Sequence, residues 1–181
     1  GRTKEYGLIV VPESDYLEPA FIKELLDYVH AGGSLLLVGP STVALFPRTI
    51  GAVLEGKPES ATRYLGLAGA MTPVKGQSQK ATLAGSSSVF GRLHVNSETN
   101  SPSVPAASIA QLGRGKVAAT YFTFSRGYLS DRSETARVFL NSLARELFPK
   151  PMVEVKGSPD VDVSVNRLNG RLTINLVNTA G

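Results

Sequence analysis

Glu13 and Asp15 stand just beyond a short apolar run, where a strand would end. In an open α/β sheet the ends of the strands form the edge that binds ligands. Cleavage of a glycosidic bond needs two carboxylates about 5–9 Å apart, and Asp131, which also follows a strand-like run, is the residue that would meet Glu13 there. The plainer reading of all three is loop polarity and helix capping. Two histidines are present, His30 at the end of a helical segment and His94 in an irregular middle stretch. A charge near a helix C-terminus is ordinary, and neither histidine has a partner at metal-ligand spacing. There is no cysteine, which removes disulfides, thiolate metal sites and a cysteine nucleophile. Neither a metal nor a cofactor is therefore expected. Gly113-Arg114-Gly115-Lys116 has the glycines of a phosphate loop, but such a loop leads from a strand into a helix. Here it separates two strand-like runs and reads as a hairpin turn. Tyr121, Phe122, Phe124 and Tyr128 form an aromatic cluster beside Ser125 and Arg126. A cluster of this kind offers either faces on which a carbohydrate can stack or core and interface packing.

The elements that would position these groups follow from periodicity. Residues 6–11 (YGLIVV) and 34–38 (SLLLV) are apolar, β-rich runs that read as buried strands. Between them Ile22, Leu25, Leu26 and Val29 recur at helical spacing within 18–31, with Pro19 in the first turn and Gly32-Gly33 as the stop. Strand, helix and strand with short links make a βαβ unit and favour a parallel sheet. Residues 42–46 open a second helix. Residues 51–105, rich in Gly, Ser and Pro, predict an irregular, partly antiparallel insertion with long loops and short strand-like pieces at 81–83 and 89–95. Residues 108–112 and 117–124 predict two strands around the glycine turn. A helix over 131–148 begins with Asp131 and Glu134, spaced as a capping box. Beyond Met152 the period becomes two, and Asn169-Gly170 separates two alternating runs. That is the strongest short hairpin signal, and a two-residue loop pairs Val165 with Ile174 and Val163 with Leu176. A lone hairpin is marginal in water, so it either packs on the α/β body or begins a further β domain. No internal repeat is present.

Bulk properties narrow the classes. The 181 residues suffice for one ordinary domain, with 42% apolar and 19% charged residues. The net charge of +4 comes from scattered basic residues. A nucleic-acid partner would require a basic stripe with interleaved aromatics, so none is expected. No apolar run approaches the roughly 18 residues of a membrane span, so no membrane partner is expected either. No signal peptide opens the chain, and Gly1 reads as a scar of expression. The composition fits a cytoplasmic or an exported protein equally.

The stretch EYGLIVVPES…EPAFIKELLDYVHAGGSLLLVGPSTVALF, residues 5–46, resembles the core of the class I glutamine amidotransferase-like fold. Residues 105–181 resemble the region that follows the catalytic barrel in bacterial glycoside hydrolases, the β-galactosidases with a trimerisation domain and α-L-fucosidase-like proteins. The resemblance omits residues 51–105. It implies a three-layer, flavodoxin-like α/β domain over 1–150, with 151–181 as a β-hairpin opening the next β domain. Active members of the fold carry a cysteine in a nucleophile elbow, and here Gly39 stands at that position. An acyl-transfer nucleophile needs a sharp turn, a base and oxyanion donors. Val38-Gly39-Pro40-Ser41 keeps the turn, but Gly39 has no side chain and Pro40 has no backbone N–H. Ser41 is two positions late and reads as a loop or cap serine. Members with a triad place a histidine near 124–126, where this chain has Phe124-Ser125-Arg126. The resemblance thus implies a non-catalytic accessory domain that packs against the catalytic barrel of the same parent chain or forms a homo-oligomer. The alternatives are a carbohydrate-binding module using Tyr121–Tyr128 and a hydrolase or amidotransferase with an unusual nucleophile. The loops after Val11, Val38 and Phe124 would carry any ligand edge, with Glu13, Asp15, Ser41, Ser125, Arg126 and Tyr128 as its residues.

Overall fold

A computed structural model describes residues 2–125, 132–151, 153–154, 156 and 160–179. The chain divides into two compact units, 1–149 and 150–181. The first unit is built on a seven-stranded mixed sheet. Its strands are β1 (Leu8–Val11), β2 (Ser34–Leu37), β3 (Ala52–Leu67), β4 (Ala70–Leu83), β5 (Ser88–His94), β6 (Ser103–Leu112) and β7 (Gly115–Thr120). They lie side by side in the order β1-β2-β7-β6-β5-β3-β4. Only β1, β2 and β7 are parallel to one another, and the other pairings are antiparallel. The expected parallel sheet is therefore corrected to a mixed one. The reason is local: β6 returns into β7 through Gly113-Arg114, and a two-residue link can join only antiparallel neighbours.

The apolar strands alternate between two cores. Leu35 and Leu37 of β2, with Val117 and Ala119 of β7, pack against helix α1 (Pro19–His30) and helix α2 (Pro40–Ala44). Leu36, Val38 and Ala118 point the other way, toward helix α3 (Glu134–Leu147), which contributes Ala136, Phe139, Leu143 and Leu147. Leu35, Leu36 and Leu37 are all essentially inaccessible, as a strand covered on both faces must be. Each such side chain contributes on the order of 1.5–3 kcal/mol by burial. β1 differs from the buried strand expected of its sequence. It forms an edge of the sheet, and Val10 is 48% exposed.

Helix ends follow their side chains. Pro19 opens α1, since the first turn needs no N–H from it. Tyr28 fastens the other end: its buried hydroxyl accepts from Ser34 N (3.1 Å) and donates to Tyr6 O (3.0 Å). Burial pushes this phenol above its ordinary pKa, against the opposing hydrogen bond to Ser34. The cap of α3 is Ser133, whose hydroxyl accepts from Ala136 N (3.3 Å). This replaces the expected capping box, because a short serine side chain one residue before the helix reaches the N3 amide; Asp131 lies outside the described residues.

The stretch 51–105 is the largest correction. It holds a long β-hairpin of 16 and 14 residues, β3 and β4, joined at Ala68-Gly69. Both turn residues have positive φ, 50° and 84°, the requirement of a type I′ hairpin. Most of its side chains are exposed or half-exposed on both faces, so no apolar alternation betrays the strands. Cross-strand pairing carries it instead, with a register shift between Glu55 and Glu59.

The second unit is a hairpin of β8 (Val161–Leu168) and β9 (Arg171–Asn178). Val165 pairs with Ile174 and Val163 with Leu176, the register read from the sequence. Asn169 and Gly170 take φ of 50° and 78°, again as a type I′ turn requires.

One contact makes a sharp test. A Cβ on Gly115 would lie 2.0 Å from Gly33 O and 2.4 Å from Val29 O. Both are backbone atoms, so nothing flexible can yield. Gly115→Ala is expected to lower stability by about 1–3 kcal/mol in urea unfolding followed by circular dichroism. An unchanged midpoint would contradict this packing of β7 against the end of α1.

Candidate functional site

The C-terminal ends of β1, β2 and β7 come together, because the three strands are parallel neighbours. The loop after β1 carries Glu13 and Asp15, β2 leads into Gly39, Pro40 and Ser41, and β7 leads toward Ser125. These residues line one open cleft of about 660 Å³, to which β3 and β4 add Ser60, Gly76 and Gln77. Four of the six residues expected at the edge therefore meet, Glu13, Asp15, Ser41 and Ser125, with the Gly39-Pro40 turn beside them. Arg126 and Tyr128 lie outside the described residues. The contribution of the β3–β4 hairpin was not legible in the sequence, because nothing in its pattern marked it as two ordered strands.

The chemistry of this edge is dominated by Glu13. Its Oε1 accepts from the backbone N–H groups of Phe124 (2.5 Å) and Ser125 (3.0 Å), and its Oε2 accepts from Ser125 Oγ (2.9 Å). A carboxylate with three donors is held by charge-assisted hydrogen bonds. Its methylene passes directly beside the elbow: a Cβ on Gly39 would lie 2.7 Å from Glu13 Cγ. Gly39 has φ 88° and ψ 153°, a region open essentially to glycine alone. A side chain at position 39 would therefore meet that of Glu13.

Gly39 and Thr42 are also engaged in structural hydrogen bonds. Gly39 N donates to the buried Thr120 Oγ1 at 2.9 Å. Pro40 supplies no N–H. Thr42 ties α2 to the first loop, accepting from Ser14 N (2.7 Å) and donating to Pro12 O (2.9 Å). Ser41 is half-buried on the cleft wall. Among the described residues its hydroxyl makes no hydrogen bond and no histidine lines the cleft. His94 is buried on β5, with Nδ1 3.4 Å from Ser101 Oγ. His30 ends α1, where its carbonyl accepts from Arg114 N (3.3 Å). The described residues contain no cluster of metal-ligating side chains, and no helix among them is long and apolar enough to cross a membrane.

Of the two readings of the aromatic cluster at Tyr121–Tyr128, stacking or packing, Tyr121 and Phe122 follow packing. Tyr121 is fully buried, and its hydroxyl lies 2.5 Å from Ser108 Oγ. Burial raises its pKa against that hydrogen bond. Phe122 is also buried, tilted against Phe124 and Phe139 at centroid distances of 6.4 and 5.7 Å. Their faces are spent on the two cores, one on each side of the sheet, and offer nothing to a sugar ring.

Two substitutions test the edge. Glu13→Ala strands two amides and a hydroxyl and is expected to cost about 1.5–3 kcal/mol by thermal or urea unfolding. Gly39→Ala is expected to cost about 1–3 kcal/mol in the wild-type background. Wild-type stability in either variant would contradict the arrangement.

No protein-family model and no curated protein matches this chain. Solved structures do match in fold. Gan42B, a GH42 β-galactosidase from G. stearothermophilus, superposes over 99% of this chain with a TM-score of 0.72 and 16% identity, covering 27% of the galactosidase. α-L-Fucosidase isoenzyme 2 from Paenibacillus thiaminolyticus superposes over 81% of this chain with a TM-score of 0.61 and 17% identity, covering 26% of that enzyme. A cytoplasmic protein from Salmonella typhimurium LT2 matches 81% of this chain with a TM-score of 0.62 and 13% identity, covering 76% of its own length. Identities this low establish a shared fold. The chain spans about a quarter of the two glycoside hydrolases, so it corresponds to one region of each.

Proposed function

We propose that residues 1–150 are a degenerate class I glutamine amidotransferase-like domain that serves as a non-catalytic accessory part of a larger bacterial glycoside hydrolase. In this reading β1, β2 and β7 are the parallel remnant of a flavodoxin-like three-layer core. Residues 151–181 are the first hairpin of a following β domain. The domain acts by packing against the catalytic barrel of its own chain or by self-association, and the loops after Val11, Val38 and Phe124 are the parts that would face a partner. The observation that carries this reading is the Glu13 side chain beside Gly39, in the place a nucleophile would need. The likeness in fold to a quarter-length region of β-galactosidases supports the choice of parent.

The non-catalytic part is tested by assaying this chain and Ser41→Ala with aryl β-galactosides, aryl α-L-fucosides and glutamine. No turnover above buffer is expected from either protein. Turnover by the wild type that disappears in Ser41→Ala would overturn the reading and make the protein an enzyme. Light scattering after size exclusion, at several concentrations, separates the two modes of action. A stable dimer or trimer supports self-association, and a monomer throughout leaves packing within one chain.

A further inference from the structure

Strand β1 lies at the edge of the sheet, with β2 as its one strand neighbour among the described residues. Val11 O accepts from Val38 N (3.0 Å), so Val11 and, by alternation, Ile9 turn their backbone groups toward β2. Leu8 and Val10 turn theirs outward, where no strand of the described residues lies. This open stretch is bounded on both sides. Tyr6 N donates to Thr3 O (3.2 Å), and Tyr6 O accepts from Tyr28 Oη (3.0 Å). Pro12 has no N–H, and its O accepts from Thr42 Oγ1 (2.9 Å). The N–H and C=O groups of Leu8 and Val10 are left between them. The surface around them is apolar. Tyr6 is 57% exposed, Val10 48% and Phe21 40%, and Tyr6, Leu8, Ile9 and Phe21 line an open hollow of about 500 Å³. Lysine, proline or a bulge within an edge strand guards it against pairing, and residues 8–11, LIVV, carry none of them.

We infer that this edge pairs with the β1 edge of a second copy of the chain, antiparallel, about a twofold axis at Ile9. In that register the open groups are self-complementary. Leu8 of each copy exchanges N–H and C=O with Val10 of the other, so every open group on both copies is satisfied. The exposed side chain of Val10 meets Leu8 of the second copy on one face of the joined sheet. On the other face Ile9 stands opposite Ile9, in the position without hydrogen bonds, where side chains come closest. Backbone bonds over so short a strand select no partner by themselves, and the charges beyond its ends do. The segment before β1 carries Arg2 and Lys4 against Glu5, and the segment after it carries Glu13 and Asp15. Antiparallel pairing lays the basic end on the acidic end at both sides of the axis, whereas a parallel partner sets like ends together. Lys4 and Asp15, the outer charges of the two segments, are exposed and free to meet. The contact is isologous and closes at two copies. It names the surface for the self-association half of the function proposed above and rests on that reading for its role.

The test is the solution mass of the full chain by light scattering after size exclusion, over a concentration series. A dimer that dissociates on dilution is expected. Val10→Lys, at an exposed edge position, is expected to weaken it about tenfold or more. Lys4→Glu and Asp15→Lys are each expected to weaken it about threefold, and the double variant to restore it. Ile9→Cys is a second measurement, in a chain otherwise free of cysteine. Opposed residues of a pair without hydrogen bonds lie within disulfide reach, so mild oxidation is expected to cross-link two chains. Val10→Cys, opposite Leu8, is expected not to cross-link. If Val10→Lys fails to fold, the Ile9→Cys cross-link decides. A monomer at every concentration overturns the inference and leaves packing within one chain standing. A trimer, or a dimer unmoved by Val10→Lys and not cross-linked through Ile9→Cys, overturns this edge as the interface while self-association stands. Failure of the double variant to restore the dimer overturns the antiparallel register. Failure of the non-catalytic reading shows instead as turnover by the wild type.

Discussion

The carboxylate of Glu13 joins segments more than a hundred residues apart in sequence. It extends from the loop after β1, passes the start of α2 and takes its donors from the chain beyond β7. Three parallel strands end at one edge, and parallel ends leave backbone donors there with no ladder to satisfy them. A fixed anion supplies the missing acceptor. The shape of the edge follows from it: Gly39 can have no side chain, Thr42 secures the first loop from the other side, and the cleft has polar walls that include Asp15 and Ser41. The site is organised around a charge that belongs to the protein itself.

The two cores explain why this edge is held in place. β2 and β7 send alternate side chains to α1 and α2 on one face and to α3 on the other. Their backbones are therefore fixed between two packed layers, and the loops leaving them start from fixed points. Ser34 adds a polar tie, donating from Oγ to Leu147 O at 2.8 Å and so joining the start of β2 to the end of α3. The antiparallel half of the sheet has no comparable cover over much of β3 and β4. Its order rests on cross-strand hydrogen bonding, which lets it carry a bulge and a pocket that a doubly covered strand could not.

The same contrast sets what can be read from sequence. α1 and α3 are legible because one helical face is apolar, and the β8–β9 register because a period of two surrounds Asn-Gly. β3 and β4 are illegible for a physical reason: with both faces largely in water, Lys57, Glu59, Lys75 and Gln77 are as acceptable there as in a loop. Glu13, Ser41 and Ser125 could be placed at a strand edge from their positions after apolar runs. Their roles could not be separated, because a hydrogen bond between residues 111 and 112 apart leaves no local pattern. The turn Gly39-Pro40 was readable as one without a nucleophile, yet the group that fills its place was not. Tyr121 and Phe122 stayed undecided between stacking and packing for a different reason. Composition marks aromatic residues but does not say whether their faces look inward.

The pairing of Glu13 with Gly39 also constrains how such a sequence can change. A reactive side chain at position 39 alone meets Glu13 Cγ and a backbone shape reserved for glycine. Shortening Glu13 alone abandons three donors. Each single step is unfavourable, and residues in contact are those whose effects fail to add. Only a coordinated change, with the turn reshaped as well, would reopen the position. Positions 13 and 39 are therefore expected to change together or not at all.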